Sequence, residues 1–318
     1  MSKWNENLER MRIELRSAYK SVETEEYFDR IFTKPLGYLW AKLFMRLNWT
    51  PNMVTILSMA LGFAGGWMLY PEKLSWNIAG ILLVILADIL DSTDGQMARL
   101  TGKSSELGRI LDGLSTGAWY VAIYSALSFR LMRTSIPFTS VQWGWWIWVP
   151  VAISGLGGHF LQCLMADYYR TIHLFFLRKK ETGELSRSAD VKRKNAEMPR
   201  NTDAFVRLFY FGYYYYTRLQ ELLSPSFQRM MTGIEKKYGA EIPDEVSEDY
   251  LRASRRYVQL TNILTFNARA YTLFLLVLLN IPIWYFPIEI FLFGALLLYM
   301  LLCYRRICRE MIRRYELA

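Results

Sequence analysis

Cysteine is scarce in this chain. The 318 residues contain three, Cys163, Cys303 and Cys308, with no paired spacing of the kind that builds a zinc site. Their place in or beside apolar runs argues against disulfides and leaves them as packing residues. No cleavable signal peptide is expected, because the beginning, MSKWNENLERMRIEL, is charged. No internal repeat is evident, which weakens the case for a transporter built from two related halves. No nucleic-acid recognition motif accompanies the formal net charge of +9, and anionic lipid headgroups account for that excess better.

What is abundant is apolar surface. With 53% hydrophobic and 16% aromatic residues, the chain is too apolar and too rich in Trp and Tyr for an ordinary soluble domain. The expected fold class is all-α: an integral membrane protein with six transmembrane helices and an N-terminal interfacial amphipathic helix. Stretches of near-spanning length fall at about 50–70, 74–90, 110–131, 145–166, 263–286 and 288–304. Residues 3–22 alternate charge with Met, Leu and Ala, as a helix lying on a membrane does, and a solvated helix reads equally well. Residues 28–47, broken by Lys34, Pro35 and Gly37, read as a second interfacial helix.

Four segments result: 1–49 with the interfacial helices, 50–177 with the first four spans, a charged and aromatic insertion at 178–258, and 259–318 with the last two spans and a basic tail. Lys and Arg crowd the N-terminal arm, the 99–109 turn, the 178–256 segment and the tail. The positive-inside rule then places both termini, and the 99–109 turn, in the cytosol. A bacterial inner membrane is the simplest location.

Ionisable side chains at the ends of apolar runs mark function by default. The stretch DILDSTDGQMARLTGKSSELGRILDGLST places Asp91, Asp94 and Asp112 at the ends of two such runs. Asp91 and Asp94 are three apart and share a helix face; Asp112 stands four from Gly108 and four from Thr116. Facing carboxylates repel unless a cation sits among them. Oxygen-only ligands suit Mg²⁺, Mn²⁺ or Ca²⁺ and do not suit zinc. Gly95 and Ala98 leave room for a bulky group, and Arg99 offers forked donors suited to phosphate.

This stretch resembles the signature of the CDP-alcohol phosphotransferase (phosphatidyltransferase) family, D-x-x-D-G-x-x-A-R-x₈-G-x-x-x-D-x-x-x-D. The matching residues are Asp91, Asp94, Gly95, Ala98, Arg99, Gly108 and Asp112. The segment Thr50-Pro51-Asn52-Met53-Val54-Thr55 is a second family-like feature. The resemblance implies Mg²⁺ or Mn²⁺ on Asp91, Asp94 and Asp112. It also implies a CDP-binding side formed by Asn52, Gly95, Ala98, Arg99 and Gly108. Asn52 also reads as the cap of the helix behind Pro51.

One position departs from the signature: Thr116 stands where the fourth aspartate, the base in that family, is expected. Threonine cannot be that base near neutral pH. The chain is then a weakened relative, or a metal-bound diphosphate oxygen activates the nucleophile, or another carboxylate substitutes. The third reading is preferred, with Asp88 as the carboxylate, one turn deeper than Asp91 as Thr116 is one turn deeper than Asp112.

The implied reaction joins a CDP-linked donor and an alcohol acceptor, one of them a membrane lipid, with release of CMP. An inositol-type headgroup is the favoured product. A homodimer is plausible from the resemblance. Two other classes remain open: a cation-coupled transporter, and a catalytically inert relative that binds CDP-lipid or a partner through its aromatic insertion.

Elsewhere, His159, Cys163 and Asp167 lie four apart on one face, as a polar wall or a spare base, and an Asp167–Arg170 ion pair is the bland alternative. Arg269, near the start of the fifth run, reads as snorkelling to the headgroups, with a cavity-facing role as the alternative. The stretch DAFVRLFYFGYYYYTRLQELL reads as a helix in the headgroup region, a cap on the site or a dimer contact.

Overall fold

The computed structural model describes residues 26, 28–103, 106–177, 185–199, 202–239 and 241–317. The helix expected over 3–22 lies outside the described residues. Among them all regular structure is helical, apart from one isolated bridge between Ser135 and Gln142. After a π-helical turn at Asp29–Thr33 come α1 (Lys34–Arg46), α2 (Pro51–Trp67), α3 (Leu74–Thr101) and α4 (Glu106–Leu131). Then follow α5 (Gly144–Leu177), α6 (Ser188–Glu197), α7 (Ala204–Leu223) and α8 (Pro225–Tyr238). The last two are α9 (Asp244–Leu278) and α10 (Pro282–Arg314).

Four of these, α3, α5, α9 and α10, are long and apolar enough to cross a membrane. Their length and composition are those of membrane-spanning helices. Helix α2 has 17 residues and α4 has 26.

Local chemistry sets the boundaries. Thr50 is extended and its hydroxyl accepts from the Met53 amide at 3.4 Å, while Pro51 supplies the first helical residue. The cap of α2 is therefore Thr50 and not Asn52, because the fixed φ of Pro51 has already started the helix. Gly102, with φ of 65°, ends α3 in the left-handed region.

Two expectations are corrected. The run over 263–286 is not one helix: Asn280 takes φ of 59° and Pro282 opens the next helix. In the other direction α9 reaches back through the turn Asn262–Leu264 to Asp244, so the polar stretch expected as separate is continuous with it. The charged part of the insertion that begins at residue 178 contains α6. The amide and hydroxyl of Ser188 donate to Glu221 on α7 at 2.8 and 2.5 Å, Val191 is buried, and Lys194 reaches the Tyr210 hydroxyl at 2.5 Å. Tertiary partners give this segment the order its composition withholds.

The chain divides into two compact units. Unit 1 comprises Met1–Gly155 with Tyr271–Phe286. In it α2 packs against both α3 and α4 through small residues. A Cβ on Gly65 would fall 2.7 Å from the Gly80 carbonyl oxygen of α3, and one on Gly62 would overlap the Trp119 indole of α4. Buried Arg130, at the end of α4, donates to the Leu69 carbonyl at 2.9 Å, to Asn77 at 3.3 Å and to Asn280 at 2.6 Å. One guanidinium thus ties together three connections. Helix α1 lies on α3, where Gln96 donates to the Lys34 carbonyl at 3.1 Å.

Unit 2 comprises Leu156–Ala270 with Pro287–Ala318. Aromatic stacking dominates its core: Tyr169 on Tyr304 at 3.7 Å, and Phe176 on Tyr250 at 4.2 Å. Arg269 is fully buried and neither snorkels nor stands exposed. It donates to Glu289, itself fully buried, at 2.6 Å, to the Leu264 carbonyl at 3.0 Å and to Gln162, with His159 Nδ1 at 3.0 Å. Cys163 lies 3.9 Å from His159, and all three cysteines are free thiols. Helix α7 faces α5 through Tyr216, whose hydroxyl donates to Asp167 at 3.3 Å. Burial, and then the Asp167 charge, hold that phenol well above its ordinary range, so it stays a donor. The Arg170 guanidinium turns to Thr261, Asn262 and Thr265.

Candidate active site

The site belongs to unit 1 and is built from the second half of α3, the first half of α4 and the start of α2. Helix α3 is long enough to carry an apolar half and then continue, as DSTDGQMAR, into the polar segment. On its face Asp91 and Asp94 lie one turn apart, and α4 brings Asp112 to them. Carboxylate oxygens of Asp91, Asp94 and Asp112, one from each, all lie within 4.8 Å of one another. Asp94 is buried, Asp91 half-buried and Asp112 exposed, so the trio runs from the interior to an open edge.

Two hydroxyls that sequence reading passed over orient this trio. Ser115 Oγ lies 2.6 Å from Asp91 Oδ1 and 2.8 Å from the Asp112 carbonyl oxygen. Thr55 donates a short hydrogen bond to Asp94 Oδ2 and lies 3.1 Å from the Pro51 carbonyl. One oxygen of Asp91 and one of Asp94 are thereby engaged. A signal for both was present. Ser115 follows Asp112 by three and Thr55 follows Asn52 by three, so each shares a helix face with a residue already singled out.

Arg99 is exposed, and its guanidinium folds back over Gly95: a Cβ there would lie 3.4 Å from one of its nitrogens. Its charge acts on Asp94. Gly95, Ala98, Asn52 and Gly108 are half-exposed on the same three helices. Thr116 is half-buried one position beyond Ser115. Asp88 does not join the trio. Its foremost charged neighbours are Asp29, Glu26 and Lys34, although its charge also reaches Asp91.

The donor set fits a divalent cation that prefers oxygen. Three carboxylates from two helices converge, and hydroxyls fix the orientation of two of them, the arrangement by which ligands are held for a metal.

Residues 48–186 match the family described as CDP-alcohol phosphatidyltransferase. The chain carries a domain of that family. Among curated proteins it is 28% identical over 149 residues to a phosphatidylinositol phosphate synthase of Streptomyces avermitilis, covering 41% of this chain and 57% of that protein. It is 31% identical over 90 residues to a phosphatidylinositol phosphate synthase of Mycolicibacterium smegmatis, covering 28% of this chain and 39% of that protein. An uncharacterized protein of Aquifex aeolicus is 36% identical over 69 residues, covering 22% of this chain and 34% of its own length. The chain thus spans between about a third and somewhat over a half of these relatives. No solved structure matches. All the residues of the trio, with Ser115 and Thr55, fall inside the matched segment, and α6 to α10 lie entirely beyond it.

Proposed function

We propose that the protein is a metal-dependent CDP-alcohol phosphotransferase that makes a phospholipid and releases CMP. The observation that carries this reading is the convergence of the Asp91, Asp94 and Asp112 oxygens within 4.8 Å, inside the segment that matches the family. These three side chains would hold Mg²⁺ or Mn²⁺, which would supply charge neutralisation at the diphosphate and the transferring phosphoryl group. Arg99 receives a phosphate of the CDP moiety; Gly95 and Ala98 leave space for the nucleotide, with Asn52 and Gly108 on its flanks.

The acceptor hydroxyl attacks the phosphorus that bears the first alcohol. A new P–O bond forms, the bond to CMP breaks, and CMP leaves with the electron pair. The acceptor's proton goes to Asp88, the carboxylate outside the trio whose charge reaches Asp91. Thr116 cannot take that proton. The names of two relatives, both phosphatidylinositol phosphate synthases, support an inositol-type headgroup in the product. Six spans, with α2 and α4 crossing beside α3, an N-terminal interfacial helix and both termini in the cytosol complete the reading. The basic residues around Arg99 to Arg109 support a site opening to the cytosol.

The test is CMP release by the purified protein in lipid with Mg²⁺ or Mn²⁺. CDP-diacylglycerol is offered with inositol and inositol phosphate, and CDP-headgroups with diacylglycerol or ceramide. Expected is release that needs metal and one matched acceptor, disappears in Asp112→Asn and falls at least about a hundredfold in Asp88→Asn. Full activity in Asp88→Asn removes Asp88 from the mechanism. CDP binding with no CMP release across the panel, the outcome Thr116 would favour, makes the chain an inert CDP-lipid binder.

A further inference from the structure

The last helix of unit 2 carries a feature that the transfer reaction does not use. Beyond Leu298, α10 places Leu302, Arg305, Arg309 and Arg313 at spacings of three and four, so they share one face. All five side chains are exposed. The opposite face, with Tyr304, Ile307, Cys308 and Met311, is buried in the unit's core. Apolar side chains thus give way to guanidinium groups on one exposed stripe, toward the end of a helix long and apolar enough to span.

Two cavities meet on that stripe. One, of about 420 Å³, is lined by Leu302, Arg305, Arg306, Arg309, Glu310 and Arg313. Among the described residues Arg306 is paired with Glu310 at 2.8 Å, and Arg305, Arg309 and Arg313 have no ion-pair partner. The other, of about 360 Å³, is mainly apolar, with Leu222, Phe227, Leu298 and Leu301 in its wall and the Ser224 and Ser226 side chains at one edge. Leu302 and Arg305 line both. A basic basin therefore adjoins an apolar cleft at Leu302 and Arg305, each of a size that small-molecule pockets have.

We infer that this joined basin and cleft is a binding site for an anionic phospholipid, with the phosphate on Arg305, Arg309 and Arg313 and an acyl chain in the cleft. Guanidinium forks match phosphate oxygens in pairs. Arginines that served only to orient the helix would need no apolar cleft beside them. A free phosphate would use the basin and leave the cleft without purpose. The inference is independent of the reading of the aspartates, which lie in unit 1.

The test is native mass spectrometry of the full-length protein, released from detergent with equimolar phosphatidic acid and phosphatidylcholine of identical chains. Wild type is expected to retain phosphatidic acid at least about tenfold in preference. The variant R305Q/R309Q/R313Q, whose changes are all on the exposed face, is expected to lose that preference while keeping its gel-filtration profile. Leu302→Trp, which fills the cleft and keeps the arginines, is expected to weaken phosphatidic acid retention to a similar degree. Inorganic phosphate in large excess should leave the lipid bound. An absent preference in wild type, or one that survives the triple substitution or Leu302→Trp, overturns the inference. Displacement by phosphate as effective as by phosphatidic acid also overturns it and makes the basin a free-anion site.

Discussion

At the scale of single residues, the site depends on side chains that hold other side chains. Ser115 and Thr55 each engage one carboxylate of the trio, and a ligand fixed in advance loses less entropy when it binds metal. Ser115→Ala leaves every proposed ligand in place. It is expected to lower Mn²⁺ affinity about 10–100-fold, the usual cost of losing such a support, and titration followed by electron paramagnetic resonance reads it directly. An unchanged affinity would reduce Ser115 to a packing residue. The three aspartates were legible in the sequence because spacing alone puts Asp91 and Asp94 on one face. Ser115 was not singled out because a serine in an apolar run is ordinarily a neutral helix residue, and only its partner on α3 gives it a role.

Among the helices, the least expected contact is the buried ion pair between α9 and α10. Arg269 looked like a residue that reaches for headgroups. Instead, fully buried Glu289 meets it at 2.6 Å, with Gln162 and the Leu264 carbonyl completing its donors. Glu289 lies in the π-helical turn Ile288–Phe293, and His159 lies in another, Ile153–Phe160. Such turns shift the phase of the side chains that follow. No sequence period announces that shift, which is why the pairing was not foreseen. Breaking the pair strands a charge: Arg269→Met should cost about 3–5 kcal/mol of stability, and the double variant R269M/E289L should recover most of it. Thermal unfolding in one detergent compares the variants. Equal stability of Arg269→Met and wild type would show that the pair is not a structural tie.

For the molecule as a whole, the six-span reading fixes which connections share a side of the membrane. In unit 1 Arg130 gathers the Leu69 carbonyl, Asn77 and Asn280 at one end, and Asp91 lies about 25 Å further along α3 from its start. Single cysteines introduced at Glu72, Ser135 and Asn280, in a variant whose Cys163, Cys303 and Cys308 are replaced by alanine, are expected to label from one side of the membrane. A cysteine at Lys103 is expected to label from the other. Labelling of Glu72 and Lys103 sites from the same side would sink the six-span arrangement.

Pattern carried much of the architecture. Apolar length marked α3, α5 and α10, and the Asp91-to-Asp112 spacing marked the carboxylate cluster and its family. These are properties of consecutive residues, so the sequence by itself determined them. The tertiary structure decided what depends on residues far apart in the chain. It ordered α6 against α7. It joined the polar and apolar halves of α9, turned Arg269 inward, and opened a cleft beside the arginines of α10. In each case the deciding partner, whether Glu221, Glu289 or the end of α7, comes from a distant part of the chain or across a turn that no period reveals. Burial then makes that partner's hydrogen bond or charge outweigh the local preference.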